Sequence, residues 1–503
     1  MSETDVEQKK SFFSDKYNIF ILGIIIFAFV LLLRYFNINQ ALWWDEAEYL
    51  SIAKHWAFGV PFDVSYIRPP FFPALMALFY VLGANEFVIR LFMLVVALAA
   101  TYFTYLVAKQ LFDKRIALVS SFMLAASHLT IFYTARILID VLVTLLWLLV
   151  IFFFWKGYVR KESKYYLWLM GVAVGLGASL KMPFILIVAP LVLYVFLNEG
   201  FSMFKNKRLW LAVLFFFIGI LPYFLYFNLS YGGLPFISTP SYGFGKGDLT
   251  FDFYSMVFPL VLRSPIPFLE GVWIFNIFLI LFLVGMGYIV VNLFLGWDLL
   301  RKEQSLKVYA FLLAWMVVPF VFLSMISQAE DRYLFMIYPA VFMVSSLMLF
   351  KCYDFVKKYN KYLALAFVFA VLLSYAYAQI SYGDALTKSK SASYLQLKEA
   401  ALWMKERSGP DDLILNSGVP QNTYYSERNT TFYPENEADF DKFITDYKPK
   451  FMVISVFERS PDWTYDWPEK NQDRVVPVQA YYADAEQKQP LLVIYQFVDN
   501  STS

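Results

Sequence analysis

The 503 residues are 59% hydrophobic and only 16% charged, with a mean hydropathy of +0.54. A water-soluble chain of this length needs more charge to cover its surface, so that class is excluded. The net charge of +2 gives no reason to expect a nucleic-acid partner; the single cysteine, Cys352, excludes an intramolecular disulfide, and two histidines, His55 and His128, are too few for a His-rich metal site.

Lys9, Lys10 and Lys16 precede the first apolar run, at 17–34. That run lacks a small-residue cleavage pattern, so it reads as a retained helix and not a signal peptide. Ten further apolar segments follow, near 86–109, 116–133, 138–155, 165–180, 183–197, 209–228, 271–297, 308–326, 333–350 and 361–380. Their lengths predict a polytopic α-helical membrane protein with about 11 transmembrane helices. Every second connector is basic, from Lys109/Lys114/Arg115 to Lys351/Lys357/Lys358/Lys361. The positive-inside rule makes that set cytoplasmic, which puts the N-terminus inside and the C-terminal region outside, in a plasma membrane. Segments 165–180 and 183–197 are separated only by Lys181 and a turn at Pro183. One helix over both would run about 50 Å against a hydrocarbon core of about 30 Å, so a hairpin is expected, with Lys181 at the outer surface.

Two outward stretches are long, 35–85 and 229–270. After about residue 385 the pattern changes. Tyr394–Arg407 and Ala438–Tyr447 read as helices, and Leu413–Leu415, Phe451–Phe457, Val475–Tyr481 and Leu491–Phe497 as strands. The expected division is a membrane domain over 1–384, its site formed by the two long outer loops, and an extracytoplasmic α/β domain over 385–503.

Charges are sparse in the outer connectors, and an ionisable group held at the membrane usually faces a cavity or a partner. Here they gather at one membrane face. A transporter or flippase of lipid-linked glycans, one alternative, would place them along a path near the midplane. A non-catalytic lipid-binding scaffold is another, and it would tolerate loss of the acids. The acidic pair Asp45-Glu46 stands in LWWDEAEYLSIAKHW, where Trp43, Trp44, Tyr49, Leu50 and Ala53 form a stripe expected of a helix lying in the interface.

Taken together, D-E-A-x-Y from Asp45, R-P-P-F-F-P-A-L from Arg68 and G-A-N-E-F-V-I-R-L from Gly83 resemble the GT-C glycosyltransferases of the protein mannosyltransferase / aminoarabinose transferase superfamily. Later stretches fall in family order: T-A-R-I-L-I-D-V-L with Arg136 and Asp140, G-L-G-A-S-L-K-M-P with Lys181, and D-R-Y-L-F-M-I-Y-P with Arg332. The resemblance covers roughly residues 15–350.

The resemblance implies transfer of a sugar from a polyprenyl-phosphate carrier to a protein, lipid or polysaccharide acceptor outside the cytoplasm, among membrane lipids. Asp45 matches the family's first-loop acid and is the implied general base. The lipid phosphate is a weak base and needs cations more than a proton donor. Arg68 and Lys181 match the family positions that hold it, and Arg263 and Arg332 are further phosphate-binding expectations. Asp140 is expected to orient a cation or the acceptor, and Glu46 to touch the acceptor or a metal. A single displacement inverts the anomeric centre. No cofactor is certain; a divalent cation on Asp45, Glu46 and Asp140 stays open. Three positions depart from the aminoarabinose transferases: Glu48 replaces their arginine, Arg68 their lysine, and Met182-Pro183 the glycine after the lysine.

Overall fold

The computed structural model describes residues 15–37, 39–63, 68–233, 261–263, 273–275, 277–325, 330–482 and 488–498, with backbone alone at 231, 261–263 and 273–275. Most of the expected outer loop 229–270 lies outside these residues. The chain divides into two compact units, one of Met1–Phe36, Leu91–Ala135 and Ile139–Thr387, the other of Asn37–Arg90, Arg136–Leu138 and Lys388–Ser503.

Helices build the first unit. Asp15 caps α1 (Lys16–Arg34) by accepting a hydrogen bond from the Tyr17 amide. Among the described residues, nine helices are long and apolar enough to cross a membrane. The count is ten if α5 (Lys114–Ala126) and α6 (His128–Thr134), which meet at 51°, are taken as one bent span. Ser127 sits at the break with extended backbone and caps α6 by accepting from the Thr130 amide. The one remaining expected segment, fifth in chain order, is α8 (Tyr165–Ala178), whose 14 residues reach only about 21 Å, short of a full crossing. It packs tightly instead. A Cβ on Gly175 would lie 2.5 Å from the Phe216 carbonyl oxygen of α10 (Lys207–Tyr231), and one on Gly219 would lie 2.6 Å from the Val172 carbonyl oxygen. These glycines let the two backbones touch. Ile19, Val30, Leu214, Phe217, Leu283 and Val284 point outward, as lipid-facing side chains do.

The second unit holds α2 (Trp44–Phe58), α3 (Phe71–Val81) and a five-stranded sheet in the order β4-β3-β5-β7-β6. Strands β4 (Asn429–Thr431), β3 (Leu413–Asn416) and β5 (Phe451–Ser455) are parallel; β7 (Pro490–Phe497) and β6 (Val475–Tyr482) continue it antiparallel. Alternate residues face opposite sides. Ile414, Phe451 and Val453 pack with Leu397 and Met404 of α15 (Leu395–Arg407), while Leu415 and Met452 pack with Phe440 of α17 (Phe440–Tyr447) and Trp467 of α18 (Trp463–Lys470). The expected strands and both helices are present. Three elements were not foreseen: α16 (Val419–Ser426), β4 and α18. The compact unit also takes in residues 37–90, so the first loop folds together with residues 388–503.

Helix α2 corrects one expectation. Every residue from Glu46 to Ala53 is buried, not a single apolar stripe. Its partners include α16: Ser51 Oγ donates to the Pro420 carbonyl, and Lys54 Nζ to the Tyr424 carbonyl and to Glu427.

Candidate active site

Asp45 and Glu46 occupy the first turn of α2, where the helix dipole favours negative charge. Arg68 reaches back to this turn across residues whose rigid Pro69-Pro70 pair leads into α3. Its Nη2 lies 2.5 Å from Asp45 Oδ1 and 2.8 Å from Glu48 Oε2, and its Nε donates to the same Glu48 oxygen at 2.8 Å. Its guanidinium also lies 5.5 Å from the Tyr49 ring centroid. Asp45 and Arg68 keep about a fifth to a quarter of their side-chain surface exposed, at 22% and 24%; Glu48 keeps 9%. Burial works against the Arg68 charge, but Tyr49, Glu48 and Asp45 outweigh it and hold the guanidinium above the ordinary arginine pKa.

Glu46 behaves differently from its neighbour. One carboxylate oxygen accepts from the Trp43 amide at 2.8 Å, and the other from the Ile137 amide at 2.6 Å. Arg136 Nη1 lies 3.5 Å away, and neither side chain has exposed surface. Arg136 also donates to the Ala41 and Lys390 carbonyls, and its guanidinium lies 4.0 Å from the Trp43 ring centroid. Glu46, expected as an acceptor or metal contact, is therefore enclosed and held by the turn at 136–138.

Asp140 and Lys181 are brought together within the first unit. Asp140 opens α7 (Asp140–Phe154), and Lys181 is an extended residue between α8 and the 3-10 turn Met182–Ile187. Lys181 Nζ donates to Asp140 Oδ1 at 2.7 Å and lies 4.2 Å from the Tyr333 ring centroid. Asp140 is nearly enclosed, at 4% exposure, whereas Lys181 keeps 17%. Arg332 stands in the 3-10 turn Asp331–Ile337, mostly buried, with its Nε 2.6 Å from Glu330 Oε2. Beside it, Asp331 accepts from the Tyr133 hydroxyl. Arg263 lies in β1 (Val261–Arg263), paired antiparallel with β2 (Trp273–Phe275); its side chain is outside the described residues.

In the sequence Glu48 stands among the sparse outer-face charges and as a departure from a motif. Its position three residues after Asp45 in a helix puts both acids on one face, a signal that could have paired them. Tyr333 stands in the D-R-Y-L-F-M-I-Y-P stretch, but nothing in the sequence pairs it with Lys181. Among the described residues, no group of three or more His, Cys, Asp or Glu side chains could hold a metal ion. The three acids named for a divalent cation each have a cationic partner: Arg68, Arg136 and Lys181.

Residues 67–226 match the family described as dolichyl-phosphate-mannose-protein mannosyltransferase. No curated protein matches the chain. Among solved structures, ArnT from Cupriavidus metallidurans bound to undecaprenyl phosphate superimposes with a TM-score of 0.64 at 15% identity, covering 95% of this chain and 98% of that one. The Archaeoglobus fulgidus oligosaccharyltransferase gives 0.60 at 14% identity, over 86% of this chain and 69% of that one. The arabinofuranosyltransferase AftD from Mycobacteria gives 0.58 at 12%, over 95% of this chain but 39% of that larger one. With that family match over 67–226 and this shared architecture, the chain is a membrane protein of the GT-C fold, as its first loop led one to expect.

Proposed function

We propose that the protein is a glycosyltransferase that moves a sugar from a polyprenyl-phosphate carrier to an acceptor on the extracytoplasmic side. The observation that carries the reading is Asp45: an acid of the family's first loop, partly exposed and fixed by Arg68. As general base it takes the proton of the acceptor nucleophile as that atom attacks the anomeric carbon. The carbon–oxygen bond to the lipid phosphate breaks on the opposite face, so the anomeric centre inverts and the phosphate leaves with the electron pair.

Lys181 stabilises the leaving phosphate, with Asp140 and the Tyr333 ring orienting its ammonium. Arg332 and Arg263 are secondary cations in the same role. Arg68 both aligns Asp45 and supplies positive charge, since its fork serves two carboxylates at once. Glu46 shapes the loop and touches neither acceptor nor metal in this reading. The polyprenyl chain finds apolar surface in a hollow of about 370 Å³ lined by Ile185, Val188, Leu191, Val192, Val213 and Phe216, among others. Basic connectors on one side support a cytoplasmic N-terminus in the plasma membrane and an extracytoplasmic C-terminal region.

The test is Asp45→Asn in purified protein with polyprenyl-phosphate sugars and candidate acceptors. Turnover should fall about 100-fold or more, with donor binding kept. Unchanged turnover would sink the assignment.

A further inference from the structure

Two pairs of adjacent aromatic residues in the second unit are each split between core and surface. Trp43 packs on the Arg136 guanidinium, 4.0 Å from its ring centroid, beside the enclosed Glu46. Trp44, the first residue of α2, stays partly exposed. Likewise Tyr433 is 6% exposed, its hydroxyl donating to the Leu415 and Val453 carbonyls, whereas Phe432, just after β4, keeps 53% of its surface. The two outward rings meet: the Trp44 and Phe432 centroids lie 6.3 Å apart, with planes 25° from parallel. Neither ring belongs to the clusters that pack the two faces of the sheet. Among the described residues the Trp44 indole N–H has no hydrogen-bond partner. Rings that meet at the surface, with a donor left over, form a binding surface more readily than a core.

The pair borders the candidate base. Residues three and four apart share a helix face, so Glu48 stands beside both Asp45 and Trp44. Glu48 and Asp45 in turn hold the same Arg68 guanidinium. Every residue from Glu46 to Ala53 is buried, while Trp44 and Asp45 are both partly exposed. The open end of α2 thus carries the carboxylate and the indole together, and a molecule resting on the rings has Asp45 within reach.

Charge narrows the ligand. Glu435, Glu437 and Asp439 follow Phe432 at exposed positions. Arg428, four residues before it, turns its guanidinium to the Ser408 hydroxyl and to the Lys405, Ser408 and Glu427 carbonyls. A phosphate or an anionic membrane surface would therefore meet repulsion here. A serine or threonine peptide offers a hydroxyl to Asp45 but no flat apolar face for the rings. A sugar ring offers both: C–H bonds on one face for the aromatic surface, and hydroxyls at its rim for the indole N–H and the carboxylate.

We propose that Trp44 and Phe432 form an acceptor platform, on which an uncharged sugar ring of a glycan rests while a hydroxyl of the same glycan meets Asp45. The acceptor role rests on the glycosyl-transfer reading above; sugar binding by the two rings does not. The test uses the full chain in lipid nanodiscs, with uncharged trisaccharides of mannose, glucose and N-acetylglucosamine as probes, read by saturation-transfer NMR and titration. At least one should bind. Phe432→Leu, a change at an exposed position, should weaken that trisaccharide about tenfold with an unchanged unfolding midpoint. Trp44→Leu should do the same, and Trp44→Phe should keep more of the affinity because a ring remains. Asp45→Asn should leave trisaccharide binding intact. Absence of binding by all three probes, or equal affinity in Phe432→Leu and the unaltered protein, would overturn the proposal. So would a serine-threonine peptide that binds through Phe432 where the sugars do not. If Asp45→Asn keeps full turnover while trisaccharide binding depends on Phe432, the transfer reading falls and the sugar platform stands. If Asp45→Asn abolishes turnover and no sugar binds, the platform falls and the transfer reading stands.

Discussion

Glu46 and Arg136 form a fully enclosed ion pair, 3.5 Å apart, that ties the start of α2 to the turn at 136–138. Its neighbour Asp45 is partly exposed and points to Arg68 instead. Two adjacent acids thus serve opposite purposes: one is sealed among the Trp43 and Ile137 amides and the Arg136 guanidinium, and the other is left reachable. Burial pulls the Arg136 pKa down to about 10, against the pull of Glu46. The guanidinium still carries its charge at neutral pH, so it depends on that carboxylate.

Removing one partner of such a pair strands the other charge. Glu46→Ala should destabilise the second unit by about 3–5 kcal/mol, whereas Glu46→Leu combined with Arg136→Met should recover much of the loss. Thermal unfolding of the single and double variants checks this. If the double variant is as unstable as the sum of the singles, the two residues are not coupled.

Glu48 should act through Arg68. Glu48→Gln removes the charge at 2.8 Å from the guanidinium and lets Arg68 shift on Asp45. Misalignment of a base typically costs on the order of 10- to 100-fold, so kcat should drop by that order while the donor KM changes little. A KM effect with constant kcat would assign Glu48 to binding instead.

For Lys181 the expectation is reversed. Lys181→Ala should raise the donor KM and weaken binding of polyprenyl phosphate alone, and Lys181→Arg should restore part of it, because charge is kept but the compact ammonium is not. Titration of both variants with the lipid phosphate decides; equal affinity in Lys181→Ala would remove the residue from the phosphate role. Asp140→Asn should show a milder version of the same defect, since Tyr333 still faces the ammonium.

The membrane architecture was legible because apolar length and basic connectors act locally along the chain. The fifth segment shows the limit. Hydropathy marks 165–180 as a span, but the 14 residues of α8 stop short, and its glycine contacts with α10 explain why it is stable there. The Asp45–Arg68 association was legible through the motif order. The enclosure of Glu46 was not, because its partners at 136 and 137 lie some 90 residues away and a sequence shows no contact between them. Likewise α3 is an apolar helix of 11 residues, too short to register as a span, and it went unread inside an outer loop.

Stability of the second unit should depend on pH through Glu427. Burial raises its carboxyl pKa, but hydrogen bonds from Lys405 and Lys54 outweigh that and leave it below the ordinary value. A depressed carboxyl contributes stability above its unfolded pKa, about 4.3, and loses it as pH falls through the folded value. Acid should therefore loosen α16 from α2, where Lys54 meets Glu427 at 2.7 Å. Hydrogen exchange of residues 419–426 should quicken below about pH 4.3, and Glu427→Gln should remove much of that dependence. Identical exchange profiles for the two proteins would show that the pair does not set it.

The close approach of α8 and α10 yields the remaining prediction. A methyl on Gly175 would stand 2.5 Å from the Phe216 carbonyl oxygen and 2.6 Å from the Ile220 amide nitrogen, so it meets backbone that cannot swing aside. Gly287 differs, because a Cβ there meets nothing within 4 Å. Gly175→Ala should then force the helices apart and cost about 1–3 kcal/mol as an overpacked contact, while Gly287→Ala should be neutral or mildly stabilising. Since Lys181 follows α8 by three residues, separation of the helices should also shift its ammonium and raise the donor KM in Gly175→Ala alone. Unfolding midpoints and donor titration for the two variants make the comparison. Equal stability in both would mean that backbone contact between α8 and α10 does not hold this part of the membrane unit together.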